Sequence, residues 1–159
     1  MQSLKLLAKR VFVGPNADMA LSDNGVRFIQ GWEKLKLDSY PDSGGVWTIG
    51  WGTTKGVGPN MHITKDKADE LFLRDVSEDV DCVRRLITVP LSQNQFDALV
   101  SFTYNVGQEA LRVSTLRRIL NTGEYKAVPQ QLLRWVRVKG KVNDGLVNRR
   151  TAEAELFTS

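Results

Sequence analysis

One cysteine and one histidine in 159 residues close several routes at once. Cys82 alone can form neither an internal disulfide nor a Cys-rich zinc site, and His62 alone rules out a metal site with several histidine ligands. No metal and no cofactor are expected. A Ser-His-Asp mechanism would have to use His62, in a loop. A Cys-His mechanism would have to use Cys82, at a covered position in mid-helix. No run of 18 or more apolar residues exists, so no single helix is expected to span a bilayer. The glycines at 50, 52, 56 and 58 lack the Lys and Ser/Thr of a phosphate-binding loop and do not lead directly into a helix. No internal repeat, low-complexity tract, helix-turn-helix or RNA-binding signature is present.

What remains is ordinary soluble material. Hydrophobic residues make up 42% of the chain and charged residues 25%, with four Trp, three Tyr and six Phe. A chain of this length buries roughly 70% of its unfolded surface and folds without covalent staples. The net charge of +4 is unevenly spread: residues 1–20 carry +2, residues 21–80 carry −3 and residues 81–159 carry +5. A basic C-terminal half favours an anionic polymer, with nucleic acid, teichoic acid and peptidoglycan all qualifying.

Residues 1–21 read as an irregular or short helical extension, not an export signal. Lys5, Lys9 and Arg10 interrupt the apolar Leu4–Ala8 stretch, and Gly14, Pro15 and Asn16 break what precedes them. Leu4, Leu7 and Val11 could share a helix face that associates with a membrane, but the charges argue against stable insertion. Residues 22–159 read as a single catalytic-size domain. Ser22 caps a first helix ending near Glu33 or Lys34. Residues 36–51 form a hairpin around the Pro41–Gly45 turn, and residues 52–59 form further turns with room for a third short strand. Thr64 opens a long helix to Leu86. Ser92 and Gln95 form a capping box for a helix that Gly107 stops. Shorter helices are expected over Ser114–Asn121 and Val128–Val136, then a polar loop at Lys139–Gly145 and a last helix from Leu146 to Phe157. The fold class is α+β: a small lobe (about 22–63) with a short antiparallel sheet, a connecting helix (about 64–87) and a helical lobe (about 88–159).

Carboxylates are the chemistry left. Glu33 ends the first helix and Asp42 sits in the hairpin turn nine residues on. The reversal between them can bring both to one cleft edge, with Thr48 joining from the return strand. Two carboxyl groups across a gap suit glycosidic bond cleavage, one protonated to donate to the leaving oxygen and one ionised to activate water or stabilise the sugar's positive charge. The bland reading is a solvated helix end, a Pro-Asp-Ser-Gly turn and an ordinary strand residue.

The string itself goes further. Glu33-Lys-Leu-Lys-Leu-Asp-Ser-Tyr40-Pro41-Asp42, followed by Thr48-Ile49-Gly50-Trp51-Gly52-Thr53-Thr54, resembles the catalytic segment of the bacteriophage-type lysozymes of glycoside hydrolase family 24. Leu91–Gly107 resembles that family's central buried helix. Ser114-Thr-Leu116, Arg134-Trp135 and Gly145–Glu153 match its later blocks, so the likeness runs over about residues 22–157. Two positions depart from the pattern: Lys34 replaces the usual Gly, and Thr53 stands where most members carry His.

This resemblance implies a lysozyme-like fold and an endolysin that hydrolyses the β-1,4 bond between N-acetylmuramic acid and N-acetylglucosamine in bacterial peptidoglycan, with inversion. Carried over, Glu33 is the general acid, Asp42 positions or activates the water and Thr48 helps hold it. Tyr104 and Asn105 are candidate sugar contacts. Arg149 or Arg150 reaches Glu33 from the last helix. A cation there steadies the carboxyl but favours its charged form, which apolar neighbours such as Trp32 or Tyr40 would oppose. Trp47 and Trp51 are expected to pack under the sheet, stacking on sugar being the other reading. The implied protein is a monomer that binds no nucleic acid. It would wait in the host cytoplasm until the membrane is permeabilised, then act on the periplasmic cell wall. The competing readings are a catalytically impaired glycan-binding module of the same fold, a nucleic-acid-binding protein built on the basic half, and a lytic transglycosylase.

Overall fold

A computed structural model of the chain describes residues 11–159. Leu4 and Leu7, on which the membrane-associating face was placed, lie outside the described residues. Helix α1 spans Asp23–Trp32, with the Ser22 hydroxyl accepting from the Gly25 N–H. The helix closes at Glu33, whose φ/ψ of −96°/121° already belongs to extended backbone. The chain therefore passes from α1 into the hairpin with the Glu33 side chain at the junction.

Strands β1 (Lys36–Pro41) and β2 (Trp47–Gly50) are antiparallel, with Tyr40 opposite Thr48 and Pro41 opposite Trp47. The register is irregular between Lys36 and Tyr40, as at a β-bulge, which bends a strand and re-aims its side chains. The outer edge of β1 is paired by residues 61–63: Ser39 donates to the Met61 carbonyl and Ile63 to that of Leu37, both at 2.9 Å. The third segment thus lies just past the glycine-rich turns of 52–59.

Helix α2 (Lys65–Leu86, 22 residues) follows, about 33 Å long and the link between the lobes. Thr64 caps it, Asp66 lies in its first turn and Arg84 and Arg85 in its last, the polarity that the helix dipole favours. Helix α3 (Gln93–Val106) carries the expected capping box and is the centre of the molecule. Every residue from Phe96 to Thr103 is buried, which removes the usual polar face. Its polar members are all bonded: Asp97 accepts from Gln93 and Ser22, Thr103 donates to the Leu99 carbonyl, and Ser101 donates to Glu153. Around it pack α4 (Gln108–Val113), α5 (Thr115–Leu120), a 3-10 turn (Tyr125–Ala127), α6 (Val128–Leu132) and α7 (Asp144–Thr158).

Four expectations are corrected here. Helix α4 was not anticipated, since its six residues follow Gly107 without a side-chain cap. The helix expected to reach Val136 ends at Leu132. The start of the expected polar loop is instead the turn and second strand of another hairpin, β3 (Arg137–Val138) and β4 (Lys141–Val142), turned by Lys139 and Gly140 at φ of 49° and 78°. Two positive φ values between the strands match their twist. Helix α7 starts two residues earlier than expected because Asn143 caps it, accepting from the Leu146 N–H.

Residues 11–21 form no helix or strand but are tied to the helical lobe. The Phe12 ring lies 5.5 Å from the Arg84 guanidinium, and Arg84 also donates to the Met19 carbonyl. Asn16 is fully buried. Its side-chain amide donates to the Ile87 and Val89 carbonyls and accepts from the Leu91 N–H. That one amide splices the N-terminal segment to the α2–α3 connection. Asn16→Ala should leave these three backbone groups unpaired and lower unfolding free energy by about 2–3 kcal/mol, measured by urea denaturation.

Candidate active site

The site forms where the junction after α1, the turn after β2 and the inner faces of α3 and α7 converge. Glu33 has a side chain 22% exposed, and its Oε1 accepts from Arg149 Nη1 at 2.9 Å. Its other oxygen lies against Gly52, where an added methyl would sit 3.1 Å from Oε2 and 3.6 Å from the Tyr104 hydroxyl. Gly52 also has φ +94°, so glycine is required both for the turn and for the approach of the acid. Tyr104 donates from its hydroxyl to the Trp51 carbonyl at 2.7 Å, and its ring packs against Phe72 of α2. The hairpin end is thereby latched to the central helix. Burial, reinforced by the Glu33, Asp75 and Asp79 carboxylates, pushes the Tyr104 phenol far up, so it stays a donor.

Asp42 stands just beyond the end of β1 on the exposed turn. Its Oδ1 accepts from the Gly44 and Val46 N–H groups, both at 2.8 Å, which fixes the carboxylate through its own turn. Among the described residues nothing bonds its Oδ2. Thr48, buried on β2, donates to the Val46 carbonyl at 3.0 Å. Tyr40 is paired across from Thr48. Its phenol is pushed up first by partial burial, then by the Glu33 and Asp42 carboxylates, so both charges act on one ring. Trp32 instead packs edge-on against Phe28, 6.4 Å between centroids.

Arg149 and Arg150 part company. Arg149 reaches Glu33; Arg150 does not, and donates to Glu153, Asn105 and the Trp135 carbonyl while lying over the Phe102 ring. Asn105 is exposed, with its side-chain oxygen committed to Arg150. Trp51 is half-buried against the core and donates from its indole to Asp69 at 2.7 Å, the packing role expected of it. Cys82 is buried and its thiol raised by that burial. Thr53 is buried and donates to Asp75 at 2.7 Å, tying the turn after β2 to α2. Glu153, Ser101 and Asp75 went unnoticed in the sequence. The i+4 and i+3 spacing of Glu153 from the two arginines was the available signal.

Gly52 and Tyr104 also line a recess of about 220 Å3, together with Lys55, Gln108 and the carboxylates of Asp75, Glu78 and Asp79. A larger recess of about 350 Å3, around Val113, Thr115, Arg134 and Trp135 on the helical lobe, contains no carboxylate. Among the described residues no group of His, Cys, Asp or Glu has the makings of a metal site, and no helix is long and apolar enough to cross a membrane.

The small lobe with its hairpin, the connecting helix and the helical lobe define a lysozyme-like architecture. Family comparison agrees: the phage lysozyme family model matches residues 30–153. An endolysin of Bacillus phage B103 is 42% identical over 142 residues, which are 87% of this chain and 54% of that protein. An endolysin of Salmonella phage P22 is 40% identical over 146 residues, 89% of this chain and 99% of that one. The solved endolysin from Escherichia coli O157:H7 phage FAHEc1 superposes with a TM-score of 0.81 at 40% identity, covering 88% and 94% of the two chains. This chain thus spans about half the length of the Bacillus phage relative and nearly all of the P22 one. It belongs to the phage lysozyme family.

One carboxyl near the groove runs against the usual direction. Burial pushes Asp79 up to about 7; a hydrogen bond with Gln108 opposes this, and Glu78 and Asp75 add to it. The native state then holds a proton that the unfolded chain releases near pH 3.8, so stability falls as pH rises from about 4 to 7. Asp79→Asn should raise unfolding free energy by about 1–4 kcal/mol at pH 8 and change it little at pH 4, as paired thermal melts will show.

Proposed function

We propose that this protein is an endolysin that hydrolyses the β-1,4 bond between N-acetylmuramic acid and N-acetylglucosamine in bacterial peptidoglycan. The observation that carries the reading is the placement of Glu33. It is a partly exposed carboxyl at the mouth of the groove, held by a buried guanidinium and sharing Tyr40 with a second carboxylate on the facing turn. A glycan strand lies along the groove. Glu33 gives its proton to the glycosidic oxygen as the bond to the anomeric carbon breaks. Asp42 takes a proton from a water on the opposite face of the sugar, and Thr48 helps hold that water. The water oxygen bonds to the anomeric carbon with inversion, and solvent takes the proton from Asp42 and returns one to Glu33. Inverting glycosidases hold their two carboxyl groups about 6.5–9.5 Å apart so that a water fits between.

The Tyr104 ring and the Asn105 amide nitrogen form the α3 wall for the sugar, while the Tyr104 hydroxyl keeps the hairpin end in place. Arg149 orients Glu33 directly, and Arg150 supports it from behind. The protein acts as a monomer, without nucleic acid, and reaches the wall from the host cytoplasm once the membrane has been permeabilised. A disabled glycan-binding module would not need a fixed, partly exposed acid, and nothing in the groove favours it.

Loss of turbidity in outer-membrane-stripped Gram-negative cells tests the reading. The wild-type chain should clear them, and Glu33→Gln should slow clearing by at least about 100-fold, the usual worth of a general acid. Mass spectra of the released muropeptides should show the mass of one added water. Equal clearing by Glu33→Gln, or products lacking that water, would overturn the mechanism.

A further inference from the structure

Behind the proposed acid lies a second carboxylate that catalysis has not yet used. Glu153 is fully buried on α7, one turn beyond Arg149 and Arg150. Its Oε1 accepts from Arg149 Nε at 3.2 Å and from the Ser101 hydroxyl at 2.8 Å. Its Oε2 accepts from Arg150 Nη1 at 2.7 Å. Arg149 spends its remaining donors on Glu33 and on Ser101, whose carbonyl lies 3.2 Å from Nη2. The result is a chain of four charges, Glu33–Arg149–Glu153–Arg150, which is neutral when both carboxylates are ionised. The groups facing it are few. Helix α3 brings Ser101, Asn105 and Tyr104, β1 brings Tyr40, and α6, which packs on α7, is uncharged throughout.

We propose that Glu153 is a positioning residue for the reaction, setting both the place of Arg149 and the proton affinity of the acid that Arg149 holds. The inference rests on Glu33 being the general acid. A general acid must carry its proton when substrate binds. Protonating Glu33 leaves the buried chain with one positive charge. Were Glu153 neutral, the same step would leave two, both in a poorly solvated place. Excess positive charge favours the ionised form of a nearby carboxyl. By compensating the second guanidinium, Glu153 keeps the proton on Glu33 attainable at working pH. It also holds the Arg149 fork by its Nε edge, so that Nη1 stays aimed at Glu33.

The test is the kcat–pH profile on soluble, uncross-linked glycan strands at fixed ionic strength, with rates corrected to the folded fraction. Glu153→Gln should move the alkaline limb about one pH unit to lower pH, so that kcat above the limb falls about tenfold, with KM within about twofold. Arg150→Gln, which removes a positive charge from the same chain, should move the limb the other way. Opposite signs separate charge compensation from loosened packing, which would move neither limb or both alike. An unmoved limb in Glu153→Gln, or shifts of the same sign in both variants, overturns the proposal. If Glu153→Gln does not fold, Arg150→Gln decides alone: an alkaline shift supports it and any other result overturns it. Glu33→Gln runs alongside. Should that variant turn over normally, the acid assignment itself fails; if it is inactive while the limbs stay put, only the role of Glu153 fails.

Discussion

The structure depends on where one guanidinium is allowed to go. Arg149 is almost wholly buried, and an unpaired cation at such a place costs several kcal/mol. It is tolerable only if its donors are met on all sides. Glu153 meets one on its own helix, Ser101 meets another from α3, and Glu33 meets the third from the end of α1. Three elements far apart in sequence are thereby held in one arrangement. Slippage of α7 along α3 would strand both arginines, whereas a purely apolar contact there would tolerate several registers. The cluster that orients the proposed acid is thus also what specifies how the helical lobe packs.

The two carboxyl groups are held by different means. Glu33 is anchored to the helical lobe through Arg149, and Gly52 lets the hairpin approach it closely, with the Tyr104–Trp51 bond closing the other flank. Asp42 is held only by its own turn, through two backbone N–H bonds on one oxygen. Glu33 is therefore placed by the helical core and Asp42 by the hairpin turn. Thr53 bonded to Asp75, and Trp51 bonded to Asp69, tether the base of that hairpin to α2.

How much of this could be read beforehand divides along physical lines. Long elements with their own caps were legible: the Ser92–Gln95 box announces α3, Thr64 opens α2, and the Pro41–Gly45 turn marks the hairpin. Elements whose stability comes from the partner were not. Helix α4 has six residues and no side-chain cap, so it exists because Leu111 is buried against the rest of the lobe. The β3–β4 hairpin is two residues a side, too short for an alternation to show. In the site, residue types and spacing singled out Glu33, Asp42 and Thr48 only weakly, and the family resemblance gave them roles. That resemblance left the choice between Arg149 and Arg150 open, because adjacent helix positions lie about 100° apart and only the rotation of α7 on α3 decides which one reaches Glu33. Asn105 shows the same limit. Its position on α3 was foreseeable, but not that its oxygen would be occupied by the arginine that turns away from Glu33.

That last contact bears on how the groove and the core communicate. Asn105 is exposed at the cleft, yet its oxygen is bonded to fully buried Arg150, which is bonded to Glu153, which is bonded to Arg149, which holds the acid. The α3 surface at Asn105 and the carboxyl of Glu33 are therefore joined by one continuous hydrogen-bonded chain, so a change of place at either end must be accommodated by every member between them.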